Sequence, residues 1–415
     1  MPRPIRLAAG WSFALLAAML LNLVLPRPTS APETALSAVS SDAPAGAPSP
    51  DAQGQLPPVD PEPGTGFTPG AGSLRPVELE PLDPRQASAL QAATDRARTA
   101  FGLDALAIGI SVHGRTGWTG ASGLARDGIT RLDGNSQFAI ASISKTFTAS
   151  LVLQLVEDGR LSLVDEVASL LPDVPVPAGV TVGQLLHHTS GVADLLNPLR
   201  DRLNADLERI WTPEEVVAGV GDPIFLPGRA YAYSNTNYVL LGMLVERLGG
   251  QPYVRQLRHR LLEPLQLDRT GMLLHRSAPP LMVPSWASAF GAAGSMYSTP
   301  HDLLRWGDSL YGGRLLQPHS LKRMLAFQRH GYGLGAERIP VGDHRGYGHS
   351  GLLRGFTSLL VHLPDEGVTL VVMGTTALFD PARLLADRHD GSPSILDLAL
   401  AAAAADAASS EDAAA

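Results

Sequence analysis

Apolar residues change their spacing several times along this chain, and each change marks an element. Residues 86–101 carry apolar side chains at helical spacing and stop at Gly102. Residues 105–112 and 117–123 read as two short strands joined at His113-Gly114-Arg115. From Ser142 a helix is predicted, because Phe147, Leu151 and Leu155 recur on one face before Asp158-Gly159 closes it. Between there and about Trp306 the pattern is mostly helices and loops punctuated by proline and glycine. Thr299-Pro300-His301-Asp302 is a helix start, with a capping hydroxyl, proline in the first turn and an acid three residues on. Strand patterns return at 355–363 and 368–374, flanking the hairpin connection Pro364-Asp365-Glu366-Gly367. A final helix starts near Ser394. The order of helix, strands, long helical stretch, strands and helix predicts an α+β fold, a sheet domain over 84–400 interrupted by an all-helical insertion at about 142–300.

Both ends depart from this pattern. Arg3 and Arg6 precede residues 7–25, an uncharged apolar run of 19 residues, close to the span of a bilayer core. The basic side is expected to stay in the cytoplasm, so the rest of the chain is expected outside it. An uncleaved anchor is favoured over a cleavable signal peptide, whose apolar run is usually shorter. Residues 26–83 hold most of the 14 prolines found between Pro26 and Pro84, out of 34 in the chain. Such a segment buries too little apolar surface to offset its ordering entropy, which predicts an extended spacer. The alanine-rich end, 401–415, is expected to fray.

Composition narrows the chemistry. With 45% hydrophobic residues the 415-residue chain can build a sizeable core. Its net charge of −8, without a basic block, argues against nucleic acid as a partner. It has no cysteine, which excludes thiol catalysis, disulfides and thiolate metal sites. Of 32 basic residues only Lys145 and Lys322 are lysine. Guanidinium stays protonated, whereas a desolvated amine can lose its proton and act as a base. A lysine kept in Ser142-Ile143-Ser144-Lys145 is therefore a candidate base beside a candidate nucleophile. Residues three apart on a helix share a face, about 5–6 Å between Cβ atoms, so Lys145 can reach Ser142. The plain alternative is an exposed lysine on a surface helix.

Two further groups follow. In Tyr233-Ser234-Asn235, a phenol near a cation can be held as phenolate and shuttle a proton, while the amide can hold a substrate carbonyl. In His349-Ser350-Gly351, just ahead of a strand, glycine is expected to let a substrate backbone approach the sheet edge. Each is a common tripeptide taken alone.

Together and in this order they make the chain resemble the serine β-lactamase and D-Ala-D-Ala carboxypeptidase superfamily, in particular its class C-like branch. Residues 138–148 look like the branch's nucleophile segment. His188-Thr189-Ser190-Gly191 resembles its structural turn, Tyr233-Ser234-Asn235 its Tyr-x-Asn element, and His349-Ser350-Gly351 its third motif in histidine form. The resemblance implies an antiparallel sheet flanked by helices, no metal and no organic cofactor. It implies that Ser142 is acylated and that Lys145 and Tyr233 move its proton. Asn235, His349, Ser350 and Gly351 then bind substrate, and the backbone N–H groups of Ser142 and Leu352 form the oxyanion hole. Most β-lactamases of the branch carry lysine where this chain has His349, and that lysine helps to hold the substrate carboxylate. Arg354 or Arg338 is a candidate replacement.

The expected protein is thus an exported serine hydrolase, D-Ala-D-Ala carboxypeptidase-like or a D-amino-acid peptidase. A β-lactamase or esterase with the same residues is the alternative, and a non-catalytic penicillin- or peptide-binding module is the alternative of another class. Its partners are a small peptide, β-lactam or ester substrate and, through the first 25 residues, a membrane. His187-His188 is read as turn and packing, and residues 331–335 as a flexible loop that lacks a nucleotide-binding setting. Gly348-His349-Ser350-Gly351-Leu352 misses a nucleophile elbow because Leu352 replaces the final glycine.

Overall fold

The computed structural model describes residues 75–125, 127–375 and 378–414. The apolar run 7–25 and the spacer up to residue 74 lie outside the described residues. In chain order the elements that shape the molecule are β1 (Glu80–Pro81), α1 (Pro84–Ala100), β2 (Ala105–Val112), β3 (Thr116–Gly123), β4 (Phe138–Ala139) and α2 (Ser144–Glu157). They continue with α3 (Asn235–Gly249), β5 (Gly271–Met272), β6 (Met296–Ser298), α4 (Pro300–Tyr311), β7 (Glu337–Arg338), β8 (Tyr347–Leu353), β9 (Phe356–Leu363), β10 (Val368–Thr375) and α5 (Ile395–Ala414).

Strand alternation builds the first core. Leu106, Ile108, Ile110 and Val112 of β2, with Val368, Leu370 and Val372 of β10, point to one face, where α1 and α5 cover them. The opposite positions, Ala107, Val371 and Met373, join the second core under α2 and α4. Gly109 lets α4 approach closely, since a Cβ there would meet Leu304 at 3.1 Å. The seven strands run β1-β3-β2-β10-β9-β8-β7. All neighbours are antiparallel except β1 and β3, whose parallel pairing makes the sheet mixed at that edge.

Three sequence expectations need correction. Residues 75–83 were expected in the spacer, yet Val77 and Leu82 are buried, β1 pairs with β3, and Arg305 donates to Val77 O at 2.8 Å. Apolar burial and strand pairing there outweigh the proline content. The insertion is not wholly helical, because β5 and β4 both pair with β6 in a small second sheet. Nor does the chain fray from residue 401: α5 runs to Ala414, Ala402 and Ala403 are buried, and Asp406 accepts a bond from Arg115 at 2.6 Å.

In helix α2 burial extends beyond the Phe147, Leu151 and Leu155 face, and every residue from Ser144 to Leu155 is buried. It lies between the sheet and the helical part, so no face is left for solvent. Phe147 stacks on Trp306 of α4 at 3.8 Å, and the Trp306 indole donates to Thr146 Oγ1 at 2.9 Å. Trp306→Ala removes this bridge and leaves a cavity, for an expected loss of about 3–5 kcal/mol in urea unfolding.

Candidate active site

Ser142 does not open α2 as expected. It sits in a separate 3₁₀ turn, Ala141–Ile143, one step before the helix. Ala141 has φ +45°, a left-handed conformation that costs a residue with a Cβ roughly 1–3 kcal/mol. The surroundings hold that strain: Ser144 Oγ donates to Ala141 O at 2.6 Å, and Ser358 Oγ donates to Ile140 O at 3.1 Å. The turn thereby lifts Ser142 into a cleft of roughly 2110 Å³ between the sheet and the helical part.

Lys145, in the first turn of α2, is fully buried beneath it. Its Nζ lies 2.8 Å from Asn235 Oδ1, 2.7 Å from Ala293 O and 3.1 Å from Ser142 Oγ. Burial pushes this amine down to about 7, against the opposing pull of the Asp194 and Glu337 carboxylates. A neutral amine has two N–H bonds and one lone pair. The two carbonyl oxygens take the N–H bonds, which leaves the lone pair for the Ser142 hydroxyl.

Tyr233 lines the same cleft as Ser142, with Lys145 Nζ 4.8 Å from its ring centre, and the Ser142 hydroxyl acts on its phenol. The phenolate that a neighbouring cation could hold is disfavoured here. Burial, then the Glu337 carboxylate, raises the Tyr233 hydroxyl well above its ordinary value, so it stays protonated. The neighbouring cation that was to hold a phenolate is itself a weak acid near neutrality. The His188 ring packs against Tyr233, tilted by 33° with ring centres 4.2 Å apart, and accepts from Ser234 N at 3.2 Å through Nδ1, so this packing residue also supports the phenol.

Asn235 begins α3 and is anchored by Asp194, whose Oδ2 accepts from Asn235 N at 2.6 Å and from Nδ2 at 2.8 Å. Those bonds turn the amide oxygen towards Lys145. On the far wall, His349 Nδ1 donates to Ser350 O at 2.6 Å and Nε2 accepts from the Tyr332 hydroxyl at 2.9 Å. Burial lowers His349, so the neutral ring satisfied by these two bonds carries no charge to replace a lysine. Ser350 donates through N at 3.2 Å and Oγ at 2.8 Å to Glu337 Oε2. Leu352 N–H lies on the same side of β8 as Ser350 N–H, two residues along, and β7 pairs only with Tyr347 and Gly348. Leu352 therefore borders the cleft beside Ser142.

Gly351 serves a different purpose from the one expected. A Cβ there would lie 2.3 Å from Ile140 O and 2.2 Å from Ser358 Oγ, so its bareness admits the nucleophile turn rather than substrate. Arg354 lines the cleft, whereas Arg338 lies over the Phe327 ring, 5.2 Å from its centre. Two acidic residues were missed, Asp194 and Glu337. Glu337 follows residues 331–335, read as a flexible loop, but Tyr332 is fully buried there and Gly335 packs on Ala149. A tyrosine among glycines with an acid two residues beyond was the available signal.

The family model described as Beta-lactamase matches residues 90–391. The chain belongs to the β-lactamase family. Its fold is of the β-lactamase/transpeptidase-like type, and it is a serine-type hydrolase of that family related to penicillin-binding proteins and D-amino acid amidases. Penicillin-binding protein 4 of Amycolatopsis lactamdurans is 29% identical over 318 residues, covering 67% of this chain and 82% of that protein. Among solved structures, a D-stereospecific amidohydrolase from Streptomyces sp. is 31% identical with a TM-score of 0.60, covering 70% of this chain and 94% of that one. The D-amino acid amidase of Ochrobactrum anthropi SV3, complexed with L-phenylalanine, is 26% identical with a TM-score of 0.66, covering 78% and 99%.

Proposed function

We propose that this β-lactamase family member hydrolyses amides or peptides of D-amino acids through an acyl-enzyme on Ser142, outside the cytoplasm. The observation that carries the chemistry is the placement of Lys145 Nζ, 3.1 Å from Ser142 Oγ and held by Asn235 Oδ1 and Ala293 O, so that the amine once neutral gives its two N–H bonds to those oxygens and turns its lone pair to the serine hydroxyl. Ser142 Oγ attacks the carbonyl carbon while its proton passes to Lys145 Nζ. The oxyanion that forms is met by the N–H groups of Ser142 and Leu352. Tyr233 donates its proton to the leaving nitrogen and regains one from Lys145. Water then cleaves the ester. Asn235 holds the acyl group, and Asp194 positions Asn235.

The D-specific amidohydrolase and amidase among the similar structures support the substrate class. So does the apolar cleft wall of Leu281, Met282, Trp286 and Phe290, which suits a bulky side chain. Arg3, Arg6 and the apolar run behind them support export. Hydrolysis of D-phenylalaninamide, with no turnover of the L-enantiomer and a transient acyl adduct on Ser142 by intact mass, is the expected result. Turnover of the L-amide alone, or an adduct on another residue, overturns it.

The pH profile follows from the sign of each shift. Lys145 is protonated below about 7 and cannot accept, while Tyr233 remains a phenol far into the alkaline range. The expected kcat/KM falls about tenfold per pH unit below the Lys145 midpoint and stays level from pH ~8 to ~9.5. A bell centred below pH 6 contradicts this assignment.

A further inference from the structure

The inference rests on the function just proposed and specifies its leaving group. Three donors at the start of β8 could receive an anion: the Ser350 N–H, the Ser350 O–H and the His349 ring N–H. All three are committed inside the protein. Both Ser350 donors bond Glu337 Oε2, at 3.2 and 2.8 Å, and the His349 Nδ1–H bonds Ser350 O at 2.6 Å. The remaining ring nitrogen accepts from Tyr332. Glu337 thus occupies with its own carboxylate the place a substrate carboxylate would take, and it lines the cleft while being 4% exposed.

This wall adjoins the proton donor proposed for the leaving atom: Tyr332, which donates to His349, lies edge-on to Tyr233 with ring centres 6.1 Å apart, and that contact assigns the wall to the departure side of the proposed reaction. Glu337 acts electrostatically on both groups that deliver the proton to the leaving atom, Lys145 and Tyr233. A buried negative charge is weakly screened, so a second carboxylate brought beside it meets repulsion and finds no donor. An uncharged amine or an ammonium-bearing group meets neither obstacle. Arg354 sits at the other end, past Leu353 where β8 ends, four residues or roughly 13 Å along the strand direction from Ser350.

We propose that Glu337 is a specificity-determining residue that selects leaving groups without a carboxylate, which makes the enzyme an amidase or aminopeptidase rather than a carboxypeptidase or β-lactamase. The test is kcat/KM for D-Phe-Gly-NH2 against D-Phe-Gly, which share the acyl group and the scissile bond, in the wild type and in Glu337→Gln. The wild type should prefer the amide by about tenfold or more, and the variant should bring the ratio to within about threefold. Taking a ratio within each protein cancels general losses in the variant, and the wild-type ratio needs no variant at all. Equal cleavage in the wild type, or a ratio that survives in Glu337→Gln, overturns the proposal. A preference for D-Phe-Gly that Arg354→Ala abolishes also overturns it and assigns a carboxylate site to Arg354. Labelling of Ser142 by a fluorophosphonate separates the two levels: labelled enzyme that cleaves neither dipeptide overturns the leaving-group selection alone, and unlabelled Ser142 overturns the nucleophile assignment together with it.

Discussion

Ser142→Ala is expected to lower kcat by about 10⁶-fold, the scale seen when a nucleophile acting as part of a proton-transfer unit is deleted. The expected loss is this large because the proton transfers proposed for Lys145 and Tyr233 both begin from that hydroxyl, which Lys145 Nζ faces at 3.1 Å and Tyr233 shares the cleft with. Folding should be nearly unaffected, since the residue removed is a cleft side chain carried on a turn held by Ser144 and Ser358. No acyl adduct should be detected by intact mass. Ser350 is not expected to take over, because its hydroxyl donates to Glu337 on the opposite wall. An adduct persisting in the Ser142→Ala protein would falsify the assignment.

Lys145→Arg is expected to cost about 10²–10⁴-fold in kcat/KM, the range for losing a general base. Guanidinium keeps its protons at every pH the protein tolerates, so the ionisation near 7 should vanish from the pH profile as well. That second readout distinguishes loss of a base from misplacement of the serine. The larger side chain has little room among Asn235, Ala293 and Ser142, so Lys145→Met serves as a second variant of similar length. It leaves two buried carbonyl oxygens without donors, at about 1–3 kcal/mol each, which a thermal melt should register. Both variants should still lack the ionisation near 7, and either one retaining it would remove Lys145 from the mechanism.

Much of this site was legible along the chain. The scarcity of lysine singled out Lys145, and helical spacing placed its amine within reach of Ser142. The strand pattern of 105–112 became β2 without change, because alternation of apolar side chains is a local property. Other features are not local. Asp194 and Glu337 are single acids 41 residues before Asn235 and 13 residues before Ser350 by the separations of their bonds, and no periodicity connects them. Residues 331–335 looked flexible because their glycines are common in loops, whereas Gly335 packs on Ala149 of α2 and Tyr332 is buried among His188, Tyr233 and His349.

The chain by itself determined which side chains could do chemistry and the order in which they occur, since residue type, hydrophobic period and spacing within one helix are written in neighbouring positions. Only the tertiary structure decided their charge states. Whether Lys145 is neutral, Tyr233 a phenol and His349 an uncharged ring depends on how deeply each is buried and on carboxylates that arrive from other elements. The physical reason is that desolvation and Coulomb energy act through space, across distances that separation along the chain does not encode.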